Sequence, residues 1–543
     1  MSLISTLARL EAVESGRAQP LATVRHRHLS RRPLVLVPLT TAGEAGAPLG
    51  ALVGTDPEEP RLLVVPQPRD RDLRFAFLAD LAEEVLPYID AFAEDVEVVE
   101  RAAPARPDTT ADADAKTSDK TGGKSRVEVE LCSDAPQLIV PSRAGIEYVR
   151  LLGRSMRFRR TAEEDPAAPF PAPPRVPLLG RWLTHFGERA RVPGSALLLS
   201  ATDLLNRHWA TGQSSLEDQH LGALLAWIDP PGGTRSGAEA ALRAELGRDD
   251  DGMPLCPPAG PATDPAFDNR LLAPAIERFD RARQALAAAE DGETADERLA
   301  ELHGAEREIR RLVDTQLRPT WHAVWRSLAL LRELPEGARV ADRWTRDRWS
   351  HTGHRDRVAA GEPPQPRRDD AVTAARKLAG REQAQGRLEA QEALDDPLVL
   401  AGRRLSGEAF VAEVVEVTMA WSESKRPSPR PLLTVRTDDR PHLGERVKVY
   451  RSLEGRPQTA EFVRRETDGS LVLRVTDRMG RAKEPAEGSV PEKGERITWT
   501  LFDHDQRAGA QLPDPEETPW THGGPPRSDA AEPPDAPTPE DLL

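Results

Sequence analysis

Between residues 407 and 505 the apolar residues come in short runs, and a turn signal follows almost every run. Six such runs centre on Phe410–Val417, Leu432–Arg436, Arg446–Tyr450, Glu461–Arg465, Leu471–Val475 and Ile497–Leu501. Pro427-Ser428-Pro429, Gly444, Gly455, Asp468-Gly469 and Gly494 separate them. Leu471, Leu473 and Val475 alternate with Val472 and Arg474, and Ile497, Trp499 and Leu501 alternate with Thr498 and Thr500. A period of two places one set of side chains inside and the other outside. Short strands at this spacing predict a small β-barrel, closed or partly open.

The remainder predicts a multidomain α+β chain. Residues 1–160 read as a small α/β domain. Leu34–Val37, Gly50–Gly54 and Leu62–Val65 are strand-like, and Phe75, Leu78, Leu81, Val85 and Leu86 recur at helical steps. Val96–Val99, Val127–Leu131 and Leu138–Val140 supply further strands, and Ser142 precedes a helix. Residues 102–126 interrupt this domain without one Leu, Ile or aromatic side chain, so a disordered insert is expected. A Pro-rich linker over 162–177 leads to a helical domain, 178–335, read as an antiparallel bundle or stalk. A basic segment and a charged helix occupy 339–403, and the barrel follows. Residues 506–543 form an acidic, Pro-rich tail that is expected to be disordered. Its 508–543 portion holds nine prolines, eight acids and one arginine, about half of the chain's net charge of −15.

Several function classes drop out. The two cysteines, Cys132 and Cys256, cannot build a disulfide framework or a cysteine-rich zinc site, and their scarcity suits a reducing cytoplasm. The N-terminus lacks a basic head before an apolar run, and no stretch is long and apolar enough to span a membrane. Cytoplasmic residence without membrane association is therefore expected. Thr121–Ser125 reads TGGKS, yet the glycine a phosphate loop needs is Ser118. His351, His354 and Asp356 lack a fourth ligand, Asp503-His504-Asp505 reads as a surface turn, and Asp249–Asp251 lacks the alternation of a calcium loop. His185, His208 and His220 sit among helical stripes. No cofactor, metal or catalytic residue is assigned. The enzymatic alternative is a metal-dependent nuclease in the N-terminal domain using Glu97, Glu100, Glu128 and Glu130. Another alternative is a purely structural interaction scaffold.

One basic stretch stands out. Residues 339–368 hold eight arginines and four acids in an acidic chain. Within it, Arg343, Trp344, Arg346, Arg348 and Trp349 combine phosphate-binding cations with stacking surfaces, which suits single-stranded nucleic acid. The competing reading is an amphipathic helix whose tryptophans pack inward, with Asp342 and Asp347 diluting the charge. In the barrel, Arg446, Lys448 and Tyr450 fall on one face of a strand and form a second candidate stripe.

Gly444-Glu445-Arg446-Val447-Lys448-Val449-Tyr450, then Ala460–Arg465, then Leu471–Val475 follow a recognisable rhythm. It resembles the accessory β-barrel inserted in superfamily 1 helicases of the RNA-surveillance and flap-processing type. In that family the barrel rides on a helical stalk and touches nucleic acid. The likeness covers about 100 residues, and no Walker A loop or other helicase motif accompanies it. It implies an accessory part without a motor: a non-catalytic adaptor working with a separate helicase or ATPase.

Overall fold

The computed structural model describes residues 3–102, 126–250, 252–258, 260–289, 293–424, 427–480 and 484–505. The insert and tail expected to be disordered lie almost wholly outside these residues. The insert's two flanks pair with each other as an antiparallel ladder, from Val96 opposite Cys132 to Ala102 opposite Arg126. It is therefore an excursion from one hairpin.

A five-stranded sheet organises the body. Its order is Arg61–Val64, Pro48–Gly54, Leu34–Thr40, Leu138–Val140, Leu198–Ser200. The first three strands form an antiparallel meander, and the last two join in parallel. Every residue of Leu34–Thr40 is buried, which matches its unbroken apolar run. The last strand lies in the region read as helical. Its buried run Ala196–Leu199 is too short to carry a period, so only pairing to Leu138–Val140 reveals it.

Helices cover the sheet. Arg71–Asp90 starts at Asp70, whose carboxylate caps the amides of Asp72 at 2.9 Å and Leu73 at 3.0 Å. Its buried face includes Phe77, Leu81, Val85 and Ile89. Arg143–Met156 and Val176–Ala190 cross closely because each supplies a glycine at the contact. A Cβ on Gly153 would lie 2.5 Å from the Thr184 amide, and one on Gly180 would lie 2.5 Å from the Arg157 amide. The long helix Glu293–Glu333 runs beside Ala273–Ala287 and then enters the core. Ile309, Val313, Leu317, Trp321, Val324 and Leu328 are fully buried along one face, at steps of three and four. Side chains from 34–199 and from 309–344 thus share one apolar core.

The C-terminal unit is a closed six-stranded barrel. Around it run Ala409–Thr418, Leu432–Arg436, Leu471–Val475, Arg456–Arg465, Lys448–Leu453 and Arg496–Thr500. Phe410, Val414, Leu433, Leu473 and Trp499 fill a separate core. Register shifts at Val414/Glu416 and Phe462/Arg464 bend the two longest strands enough for closure. The helices Ala371–Asp395 and Pro397–Leu405 lead into the barrel. Arg404 grips Asp439 through two hydrogen bonds of 2.9 and 3.0 Å, and Asp439 also accepts from the Val411 amide at 2.8 Å. Among the described residues no helix is long and apolar enough to cross a membrane.

Candidate nucleic-acid interface

The basic stretch forms the helix Val340–Ala359, which ends at Gly361 with a φ of +69°. Its inward face is polar. Val340, Arg343, Trp344, Asp347, His351, Thr352 and His354 are all buried. Asp347 is fully buried and accepts from Arg189 at 2.7 Å, from the Ser195 hydroxyl at 2.7 Å and from the Ala196 amide at 2.6 Å. Arg343 donates to Gln391 and to the His26 carbonyl at 3.2 Å. Burial lowers the pKa of Arg343 below the usual arginine value. Trp344 stacks on His28 with centroids 4.1 Å apart and donates its indole N–H to Asp134 at 2.8 Å. Arg348 donates to the Cys132 carbonyl at 2.8 Å and pairs with Glu97, and Trp349 is half-buried. Of the five residues singled out in this stretch, Arg346 alone is exposed.

Arg446 stands apart from its two expected neighbours. It occupies a turn with φ +58°, and the strand begins at Lys448. The left-handed backbone at Arg446 breaks the alternation that would have put it on the Lys448–Tyr450 face. Lys448 is exposed and lies opposite Glu461, which in turn lies opposite Arg474 on the next strand. Arg496, Glu413 and Arg436 repeat that arrangement on three other strands. The outer wall thus alternates in sign, as cross-strand pairing favours. Tyr450 is half-buried. Its phenol pKa is raised by burial and then by the charges of Asp503 and Asp477. The eight candidates therefore do not meet on one surface. Arg346, Arg446 and Lys448 are the exposed members.

Glu97 is held by Arg348, Glu130 lies 3.6 Å from Arg355, and Glu100 faces Glu128 across the hairpin. Among the described residues no group of three His, Cys, Asp or Glu is placed to hold a metal ion. Lys124 and the rest of TGGKS lie outside the described residues. His185 and His354 stack with centroids 4.3 Å apart and planes 6° off parallel, with Trp182 edge-on to His354 at 4.6 Å. His504 is no surface turn residue. It is buried, with Nε2 2.8 Å from the Thr500 hydroxyl, and its pKa is lowered to about 4, chiefly by burial.

Two exposed apolar features were not singled out from the sequence. Leu3, Leu7 and Leu10 are 60, 52 and 56 % exposed along one face of the helix Leu3–Ser15. Their three- and four-residue spacing was the available signal. Trp421, 48 % exposed, sits in the loop between the first two barrel strands. Comparison of the chain with known protein families, with curated proteins and with solved structures returns no match.

Proposed function

We propose that the chain is a non-catalytic adaptor of a nucleic-acid-processing assembly, acting with a separate helicase or ATPase. The carrying observation is the stripe of Leu3, Leu7 and Leu10. Its helix is anchored by Ala12, which is fully buried in a small cluster with Trp227 and Ala241, so the leucines are left outward on a docked element. Contiguous exposed leucines at helical spacing mark a surface for a protein partner with a matching apolar groove or helix. The resemblance of the barrel supplies the class of partner. On this reading single-stranded nucleic acid meets the barrel at Arg446 and Lys448, and the helix Val340–Ala359 serves as internal framework.

A photo-crosslinking residue at Leu7, used in the native cell, tests the partner. A specific adduct with a helicase or ATPase is expected, and an adduct with only an unrelated protein, or none, overturns the reading. Fluorescence anisotropy with labelled single-stranded oligonucleotides tests the second part. Replacing Arg446 and Lys448 by Ala should weaken binding and flatten its salt dependence by about 0.7 log units per lost phosphate contact. Absence of binding below about 100 μM at low salt removes nucleic acid from the proposal.

A further inference from the structure

A groove of about 610 Å³ opens where the helices Ala273–Ala287 and Glu293–Glu333 meet Asp249 and residues 253–257. That size falls within the range of small-molecule sites, ~300–1,000 Å³. Met253, Leu255, Leu271 and Leu312 supply its apolar lining. Its charged lining sets Arg270, Arg278, Arg281 and Arg311 against Asp249, Glu277 and Glu308. Several of these charges are already committed. Arg311 is paired with Glu308 at 2.9 Å, and Asp249 accepts from the Met253 amide at 2.8 Å. Arg278 and Arg281, one turn apart on the shorter helix and both exposed, are less committed, although Arg278 adds its charge to that of Arg311 in lowering the Glu308 pKa. Neither guanidinium is hydrogen-bonded to a carboxylate among the described residues, and Arg281 spends only its Nε, on the Glu277 carbonyl at 3.3 Å. Gln316 also lines the groove. It is 6 % exposed, and its buried Oε1 has no hydrogen-bond partner. A buried amide oxygen left unpaired costs free energy that a donor on a bound molecule would recover.

We infer that this groove binds a small phosphorylated molecule, its phosphate held by Arg278 and Arg281 and a hydroxyl or amine donor meeting Gln316. Guanidinium forks match phosphate oxygens in pairs, and two of them one helical turn apart can share one group. The apolar residues of the lining favour a compact organic ester over a polynucleotide backbone, which would leave them uncovered. The inference goes beyond the adaptor reading and stands on different residues.

Isothermal titration of the full chain with AMP, ribose 5-phosphate, inorganic phosphate and a single-stranded oligonucleotide tests it. At least one of the two organic esters should bind at or below about 1 mM and more tightly than inorganic phosphate. Replacing both Arg278 and Arg281 by Ala should weaken that ester about tenfold or more. Gln316→Leu should weaken the ester and leave inorganic phosphate unchanged, which separates the amide's role from the arginines'. No ester binding at about 10 mM, or an unaltered affinity in the double variant, overturns the inference. Oligonucleotide binding lost in the double variant, without ester binding, would reassign the groove to nucleic acid.

Discussion

Asp347 shows how one residue can reverse the meaning of its surroundings. In sequence it dilutes a basic stretch, whereas in the fold it accepts three hydrogen bonds from Arg189, Ser195 and Ala196 in a site closed to solvent. A buried carboxylate persists only when paired and fully bonded. Asp347→Ala leaves Arg189 without that partner and should cost about 3–5 kcal/mol, read as a lower urea midpoint at unchanged slope. The histidines nearby set a pH dependence. Burial, followed by the charge of Arg355, lowers His351 to about 4; burial, followed by Arg357, lowers His354 to about 3; and burial, followed by His354, holds His185 well below 6.5. The charged groups around them are Arg181, Arg189, Arg355 and Arg357, with Asp356 as the opposing carboxylate. The folded state therefore binds fewer protons than the unfolded chain. Stability is fully present above about pH 6.5 and falls as pH drops toward 4, by on the order of 1.4 kcal/mol per unit for each histidine that stays neutral. Urea titrations at pH 7, 6 and 5 should show this fall, and His354→Gln should reduce its slope. Equal slopes in the two proteins would remove His354 from the account.

Elements joined by local rules were legible, and elements joined by distant partners were not. All six barrel strands follow from alternation and turn residues, because both signals lie within ten residues of the strand they define. Two strand starts differ from the sequence reading: at Arg446, where a non-glycine residue takes a left-handed φ of +58°, and at Arg456, five residues before Glu461, where an inward position is filled by the buried Gln458 and carries no apolar signal. Three residues cannot distinguish the two periods, so the strand Leu198–Ser200 is not separable from its helical surroundings in sequence. The helix Val340–Ala359 was recognised for its charge. The amphipathic reading of the stretch anticipates the buried Trp344, but the polar partners are not legible, because Arg343 meets His26 across 317 positions and Asp347 meets Arg189 across 158. Asp396 is a similar long-range joint. It caps Pro397–Leu405 by accepting from the Leu398 amide at 2.9 Å, and it also takes the amides of Thr23 and Val24 near the N-terminus. Asp396→Ala should therefore do more than remove a cap worth about 1 kcal/mol, because two strap amides lose their acceptor at up to about 1–3 kcal/mol each. Hydrogen exchange should speed first at residues 23 and 24. If exchange there is unchanged, Asp396 is only a cap.

At the scale of the whole molecule the apolar interior falls into two principal cores. One takes side chains from Leu29 to Trp344, and the other is confined to the barrel between Phe410 and Trp499. Among the described residues no apolar cluster spans the two, and the joints between them include Arg339 to the Gly455 carbonyl at 2.7 Å and Arg404 to Asp439. Polar joints of this kind couple two cores weakly, since each contact contributes roughly 0–1.5 kcal/mol, whereas deletion of one buried leucine costs about 2–5 kcal/mol within its own core. Differential scanning calorimetry of the full chain should then resolve two transitions. Leu433→Ala, which empties space in the barrel, should lower one of them and leave the other within about 1 °C. Leu317→Ala, on the fully buried face of the long helix, should do the converse. A single transition moved equally by both substitutions would mean that the polar joint binds body and barrel into one cooperative unit. The barrel would then be an integral part of one scaffold and not a separately folding unit.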